Sequence, residues 1–217
     1  MERYFVLDKY NTWYDWRLIL TAKDVTPPEP KTYYVELDGM DGTLDLSESL
    51  TGEISYKDRT VSAAFFTNNG TRTEREKLLR DIRAALHGRK IKIIEPDDPY
   101  HYFYGRVKIK SVKNNLAYAE FTIEAVCEPW RYANEESVRL VRVSNQTIGV
   151  AISNNGVKTL TPDITVTGSV TIDYNGMTAE LTDGTYKITD IKLRQGVTLV
   201  TVSGDGSVVF TYREADL

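Results

Sequence analysis

The chain contains few of the side chains that carry catalysis or bind metals. Among 217 residues there are two histidines, His87 and His101, and one cysteine, Cys127. The histidines fall in different predicted elements, one at a helix end and one at the start of a strand, and the HExxH spacing of a zinc site is absent. Cys127 lies on the inward side of an alternating strand, where a thiol is a core group rather than a nucleophile. We therefore predict no catalytic role for these residues.

The acidic residues and glycines do not form a recognisable site either. One acidic group consists of Asp38, Asp41, Asp45 and Glu48. This group lacks the odd-position spacing of a calcium-binding EF-hand loop, and Asp97 and Asp98 are adjacent acids in a Pro-bounded turn. The segment Gly204-Asp205-Gly206 precedes a predicted strand, so no helix start follows it that could bind a phosphate. We predict a protein that is not an enzyme, with no catalytic residues, no metal site and no cofactor.

One helix is predicted, and it follows Gly70. Thr73 with Glu76 fits a capping box, and Thr71 with Glu74 is a second candidate. The apolar stripe of this helix consists of Leu78, Leu79, Ile82 and Leu86. Gly88 is expected to end the helix in a left-handed conformation. The opposite face is predicted to carry Arg75, Arg80 and Arg83. This face is either solvated or a contact with a neighbouring subunit.

The strongest strand signal is a two-stranded ribbon. Apolar residues alternate with polar ones from Phe103 to Lys110 and again from Ala117 to Cys127, with a turn at Lys113-Asn114-Asn115. A period of two over this length predicts a ribbon that is buried on one side and polar on the other. Such a ribbon suits contact between subunits, because long exposed edges otherwise aggregate. The candidate interface residues on it are Tyr104, Arg106, Lys108 and Tyr118.

The remaining sequence predicts further strands and a division into two domains. In the first half, strands are expected at Trp13–Leu20, Tyr33–Leu37 and Val61–Phe66, with a stiff extended loop at Thr26–Pro30. From Asn145 onward, threonine and valine dominate and no helical period occurs. Turn pairs are predicted at Asn155-Gly156, Asn175-Gly176, Asp183-Gly184 and Asp205-Gly206. Short strands between regular turns indicate an antiparallel sandwich, so we predict domains at 1–140 and 141–217, with the boundary between 136 and 146.

The composition excludes several classes of function. The apolar fraction is 41% and the charged fraction is 27%, both ordinary for a folded domain. The formal net charge of −4 argues against a protein that grips nucleic acid, because phosphate binding usually needs a basic surplus. No apolar run approaches the roughly 20 residues that span a bilayer, and no signal peptide is predicted. A single cysteine is compatible with folding in a reducing cytoplasm.

Two segments have the order and spacing of a known family. The first runs from Asp38 to Ser47 and continues through Gly52, Tyr56, Arg59 and Phe65. The second contains Asn155-Gly156, Pro162, Ile164, Val166, Gly168, Gly184–Tyr186, Leu193, Gly196–Leu199, Gly204–Gly206 and Tyr212–Glu214. Together these segments cover most of the chain. The chain resembles the distal tail proteins of siphophages, which are phages with long, non-contractile tails.

The resemblance implies a mainly β protein with two domains. The first would be a tail-tube-like β-barrel or sandwich with one α-helix, and the second a galectin-like antiparallel β-sandwich. Six copies would form a ring between the tail tube and the tip, in a virion tail assembled in the host bacterial cytoplasm. The implied partners are further copies of the chain, the tail-tube protein, the tip or tail-associated protein and the tape-measure protein. DNA would only pass through the lumen, and no membrane partner is implied.

Three other functions remain open at this stage. A carbohydrate-binding adsorption protein would use exposed aromatic residues of the second domain, with Tyr174 and Tyr186 as candidates. A different ring component, such as a tube subunit or the equivalent in a contractile particle, is a second alternative. A cell-wall hydrolase is the third, and the lack of catalytic motifs makes it the weakest.

Overall fold

The computed structural model describes residues 3–217 and is mainly β, as predicted, with a single helix in this range. The chain divides into two compact units, one of residues 1–131 with Leu217 and one of Tyr132–Asp216. The predicted division after residue 140 falls inside Ser137–Asn154, which is a strand of the second unit.

The first unit contains eleven strands and the helix. The strands are β1 (Val6–Leu7), β2 (Tyr10–Asn11), β3 (Ile19–Val25), β4 (Pro30–Lys31), β5 (Tyr34–Val35), β6 (Leu44–Asp45), β7 (Ser55–Tyr56), β8 (Arg59–Thr67), β9 (Lys90–Glu95), β10 (Asp98–Asn114) and β11 (Ala119–Cys127). The helix is α1 (Arg72–Leu86), and β12 (Arg131–Ala133) spans the division between the units. The main sheet has the antiparallel order β2-β1-β9-β10-β11-β8-β3. Its end strands do not pair among the described residues, so the sheet is open rather than a closed barrel.

The ribbon of β10 and β11 is formed as the alternation predicts. Phe103, Gly105 and Val107 are buried, and they alternate with exposed residues along β10. Across the ladder, Gly105 lies opposite Cys127. A side chain at Gly105 would approach the Val126 carbonyl oxygen to 2.6 Å, so the close approach of the strands requires glycine there. The buried side of the ribbon contributes to one apolar core, and α1 packs onto it.

The helix begins with the second of the two predicted capping boxes. Thr71 is the N-cap residue, and its hydroxyl accepts from the Glu74 backbone N–H while the Glu74 carboxylate accepts from the Thr71 N–H. The box predicted at Thr73 and Glu76 is wrong, because Thr73 already lies inside the first helical turn. The helix ends at Leu86, and Gly88 follows with a φ of +77°, as predicted.

Two predicted strands are shorter than expected. The segment Trp13–Trp16 forms turns, because the Asn11 side chain accepts from the backbone N–H groups of Trp13 and Tyr14 at 2.9 and 3.0 Å. The side-chain amide thus replaces a strand partner. Of the predicted strand at 33–37, only β5 forms.

An extended arm separates β3 from β8. We define the arm as residues 26–58, which pair with each other through β4–β7 and β5–β6. None of its residues is buried. Two short ladders alone give little stability, because an isolated two-stranded hairpin is marginal in water.

The second unit is built on a five-stranded antiparallel sheet. Its strands are β13 (Ser137–Asn154), β14 (Asp163–Tyr174), β15 (Met177–Leu181), β16 (Gly184–Tyr186) and β17 (Gly196–Tyr212). The short strand β18 (Ala215–Asp216) pairs with β12 and lies outside this sheet. The order is β13-β17-β14-β15, and β16 also pairs with β14. Asn175 and Gly176 turn the chain between β14 and β15 with φ values of +51° and +82°, as predicted for a hairpin.

The strands of this unit are long because the turn predicted at Asp205-Gly206 does not form. These residues lie in the middle of β17, opposite Gly168 and Ser169 of β14. At the same level, β13 has a bulge between Ser144 and Gln146. Bulges and glycines allow strands to bend. Buried side chains from the strand segments before and after this level of the sheet belong to one core.

Candidate functional site

The arginines predicted on the outer helix face do not share one environment. Arg80 and Arg83 are exposed, as predicted, whereas Arg75 is buried with only 2% of its surface accessible. The structure corrects the placement of Arg75, because its spacing to Leu79, Ile82 and Leu86 continues the buried stripe. That spacing was the signal in the sequence for a buried position.

Arg75 holds the turn of the ribbon against the start of the helix. Its Nη2 donates to the carbonyl oxygens of Asn115 and Leu116, at 2.9 Å each. Its Nη1 donates to the Gly70 carbonyl at 2.5 Å, and its Nε to the Asn114 side chain at 3.5 Å. Arg75 is therefore buried and held by partners within its own chain.

The candidate residues of the ribbon lie on its outward side. Tyr104, Arg106 and Lys108 alternate with the buried residues of β10, and we call them the ribbon patch. The Lys90 ammonium lies 4.7 Å from the Tyr104 ring centre, and Arg106 donates to the Gly88 carbonyl at 2.6 Å. Tyr118 immediately precedes β11, near the turn of the ribbon. Its ring centre lies 5.3 Å from that of Phe66.

The structure therefore brings together only some of the predicted interface residues. The helix packs its buried side on the inward side of the ribbon, so Arg80 and Arg83 lie on the opposite side of this unit from the ribbon patch. A single neighbouring surface cannot cover both sets at once.

The arm carries several large exposed apolar side chains that the sequence did not indicate as an interface. Leu50 is 97% exposed and Tyr33 is 63% exposed. The other large exposed apolar residues of the arm are Tyr34, Leu37, Met40 and Leu44. Large apolar side chains that are exposed together on one segment suit a contact with another protein. The prolines and turn glycines between 26 and 58 are the only signal of this arm in the sequence.

Both histidines have structural partners, and the single cysteine is buried. The His101 Nδ1 lies 2.9 Å from an oxygen of Asp98, and the His87 Nδ1 accepts from the Ile109 N–H at 3.1 Å. Burial raises the pKa of the Cys127 thiol to about 12. In residues 3–217 no group of three or more histidine, cysteine or acidic side chains could hold a metal ion.

The acidic group of Asp38, Asp41, Asp45 and Glu48 in the arm does not form a metal site. Asp45 instead organises its own turn, because its carboxylate accepts from the Ser47 N–H at 2.9 Å and from the Ser47 hydroxyl at 2.5 Å. These hydrogen bonds lower the pKa of Asp45. No helix in the described part of the chain is long and apolar enough to cross a membrane.

The aromatic residues considered for sugar binding are half-buried. Tyr174 donates its hydroxyl to the Lys192 carbonyl at 3.2 Å, and Tyr186 donates to the Thr182 carbonyl at 3.1 Å. Both rings pack against the core of the second unit. The two rings are therefore only partly exposed, and their hydroxyls already donate to backbone carbonyls.

A solved protein structure has a similar architecture over nearly the whole chain. The crystal structure of the SPP1 Dit protein (gp 19.1) matches with a TM-score of 0.71, covering 97% of this chain and 98% of that one. The chain has the Dit fold. The sequence identity is only 15%, and no protein-family model and no curated protein matches the sequence. SPP1 Dit is described as a paradigm of the hub adsorption apparatus in phages that infect Gram-positive bacteria.

The Dit fold confirms the resemblance to distal tail proteins that the order and spacing of residues indicated. Because the match extends over nearly the whole of both chains, it includes both compact units and not just a common sheet.

Proposed function

We propose that this protein is a non-enzymatic structural subunit of a phage tail tip. In this proposal six copies form a ring that joins the tail tube to the distal tip, with a lumen for the tape-measure protein and DNA. The first unit is the tail-tube-like part that forms the ring, and the second is a galectin-like domain. The protein is assembled into the virion tail in the cytoplasm of the host bacterium.

The observation that carries this proposal is the exposed arm in a chain with the Dit fold. The arm contains no buried residue and presents six large apolar side chains to solvent. Leaving these side chains in water is unfavourable, and burying a fully exposed leucine such as Leu50 contributes about 1.5–3 kcal/mol. A second copy of the chain provides a surface that can cover them. The ribbon patch and the exposed arginines Arg80 and Arg83 provide further contacts in the proposed ring.

The contacts with other tail proteins are proposed on the same fold likeness. A ring has two different ends, so one end is free for the tail-tube protein and the other for the tip or tail-associated protein. The carbohydrate-binding alternative has no comparable support, because its two candidate tyrosines are half-buried.

Sedimentation velocity over a range of protein concentrations tests the proposal. We expect the wild-type protein to form a discrete oligomer, and Leu50→Ser to shift the population toward monomer. Leu199→Ser is the matched control, because Leu199 is also highly exposed, at 71%, but lies in the second unit. A wild-type protein that remains monomeric at every concentration contradicts the ring. Equal association of Leu50→Ser and wild type excludes the arm as a contact.

A further inference from the structure

Three Asn-Gly pairs occur in the chain, at residues 69–70, 155–156 and 175–176. An asparagine followed by glycine can lose its side-chain amide without an enzyme, because the next backbone nitrogen reaches the side-chain carbonyl carbon. Glycine favours this attack, since it has no Cβ to hinder the approach. The reaction needs a free backbone N–H and a chain that can rotate, so the surroundings of the three pairs distinguish them.

The pair at 155–156 is held in place. The Asn155 amide nitrogen donates to the Glu214 carboxylate at 3.2 and 3.3 Å, which fixes the side chain that must rotate. Gly156 is buried, and its N–H donates to the Asn154 side chain at 3.1 Å. A Cβ at Gly156 would lie 2.5 Å from the Ala215 oxygen, so its backbone has little room to move. This pair is therefore protected.

The pair at 69–70 is exposed, but the backbone of its glycine is restrained. The buried Arg75 donates from its Nη1 to the Gly70 carbonyl at 2.5 Å. The Glu74 carboxylate lies beside Gly70, because one of its oxygens would be 2.7 Å from a Cβ there. Attack requires the Gly70 N–H to lose its proton, and a nearby negative charge makes that loss less favourable. We therefore expect this pair to react more slowly than an unrestrained one.

The pair at 175–176 has none of these restraints. Asn175 and Gly176 are both exposed at the tip of the hairpin between β14 and β15. Apart from its chain neighbours, no atom would lie within 4 Å of a Cβ at Gly176. Within residues 3–217, neither the Asn175 side chain nor the Gly176 N–H has a hydrogen-bond partner. Because β15 lies at one end of the sheet, the hairpin tip can open without breaking a central ladder.

We propose that Asn175 is a site of spontaneous deamidation and that it reacts before Asn69 and Asn155. The Gly176 nitrogen loses its proton to solvent base and forms a bond with the Asn175 side-chain carbonyl carbon. The bond from that carbon to the amide nitrogen breaks and ammonia leaves, which closes a five-membered succinimide ring. Water then opens the ring at either carbonyl, giving aspartate or isoaspartate. The net change consumes one water and releases one ammonia.

Deamidation changes the hairpin in two ways. Both products add a negative charge to a hairpin that already carries Asp173 and Glu180. Isoaspartate also adds one atom to the main chain of a two-residue turn, whose residues both have positive φ. The pairing of Tyr174 with Met177 closes this turn, so it should weaken in the isoaspartate form. The modification belongs to the second unit and does not depend on the proposed ring.

Peptide mapping by mass spectrometry after ageing of the full-length protein tests the proposal. In a mildly alkaline buffer, we expect the Asn175 peptide to gain one mass unit and to split into an aspartate form and an isoaspartate form. The peptides of Asn69 and Asn155 should react at least about tenfold more slowly in the native protein, because their restraints must first open. In guanidinium chloride the three pairs should react at similar rates, since the restraints are lost.

Gly176→Ala provides the matched control in the same denaturant. The added Cβ should slow the reaction at Asn175 and leave the other two pairs unchanged, whether or not the variant folds. The proposal is overturned by an Asn175 that stays intact in the native protein. Native Asn69 or Asn155 that reacts as fast as Asn175, or an unchanged rate at Asn175 in denatured Gly176→Ala, also overturns it.

Discussion

The side chains with the greatest chemical potential serve the structure of the first unit. Cys127 lies on the buried side of the ribbon, opposite Gly105, and Asp98 contacts both His101 and Arg131. Arg75 fastens the ribbon turn to the helix through backbone carbonyls. These groups are surrounded by partners that lower their reactivity or use up their hydrogen bonds. These polar groups therefore stabilise the fold of the first unit.

The thiol of Cys127 should be inert in the folded protein. It is buried, and its pKa is raised to about 12, so almost no thiolate exists at neutral pH. We expect a thiol-specific reagent such as Ellman's reagent to label native protein very slowly and denatured protein at one thiol per chain. Rapid and complete labelling of the native protein at neutral pH would contradict the burial of this residue.

Asp98 should make the stability of the first unit dependent on pH. Burial raises the pKa of Asp98, but His101 and Arg131 lower it more, so the folded-state pKa lies below the usual 3.8. A depressed acid stabilises the fold above its unfolded pKa, and this contribution is lost as the pH falls through the folded pKa.

We therefore expect Asp98→Asn to lower the free energy of unfolding by about 1–2 kcal/mol at pH 7. The difference from wild type should shrink progressively as the pH falls below the usual pKa of aspartate. Urea denaturation of both proteins across this range measures it. A difference that stays constant down to the most acidic condition would show that the Asp98 charge is unimportant.

The helix illustrates how local signals compete at the scale of one element. Two Thr–Glu pairs with capping-box spacing overlap at residues 71–76, and only the first is used. Gly70 precedes Thr71 with a φ of +69°, and this turn places the chain so that Thr71 becomes the N-cap residue. A sequence pattern cannot decide between two overlapping boxes, because both satisfy the same local rule.

Replacing each of the two threonines by alanine distinguishes their roles. We expect Thr71→Ala to reduce the free energy of unfolding by about 1 kcal/mol, because a helix N–H loses its acceptor. Thr73→Ala, inside the exposed first turn, should change it by less than about 0.5 kcal/mol. Thermal unfolding of both variants provides the comparison. A larger loss for Thr73→Ala than for Thr71→Ala would contradict the observed helix start.

Gly105 controls how closely β10 and β11 approach. A Cβ atom there would lie 2.6 Å from the Val126 oxygen and 2.8 Å from the Cys127 Cα, so the strands would have to separate. We expect Gly105→Ala to cost about 1–3 kcal/mol, as overpacking does. Gly149→Ala is the control, because a Cβ at Gly149 would contact nothing within 4 Å. Unfolding midpoints measure both, and equal midpoints would exclude the predicted overpacking at Gly105.

Elements with a strong period could be predicted from the sequence, whereas those set by distant contacts could not. The ribbon and the end of the helix at Gly88 follow from alternation and a single glycine. Asp205-Gly206 has the local pattern of a turn but lies within β17. There it pairs with Gly168 and Ser169 of β14, and the two backbones approach closely at this point. The charge of Arg75 predicts an exposed position on the helix, whereas its spacing to Leu79 and Ile82 places it on the buried stripe.

At the scale of the whole chain, the fold is preserved with very little sequence identity. The match to SPP1 Dit extends over 97% of this chain at 15% identity. Core positions tolerate many apolar side chains provided that volume and pattern are kept, so identity can fall while architecture persists. The arm of the isolated chain exposes several large apolar side chains, and the proposed ring would cover them.

Negative-stain electron microscopy of the purified full-length protein at high concentration tests the proposed ring most directly. We expect closed rings with six-fold symmetry and an open centre, which disperse when Leu50→Ser is introduced. Images that show only single particles of monomer size, or open filaments of indefinite length, would contradict a subunit that builds a closed ring.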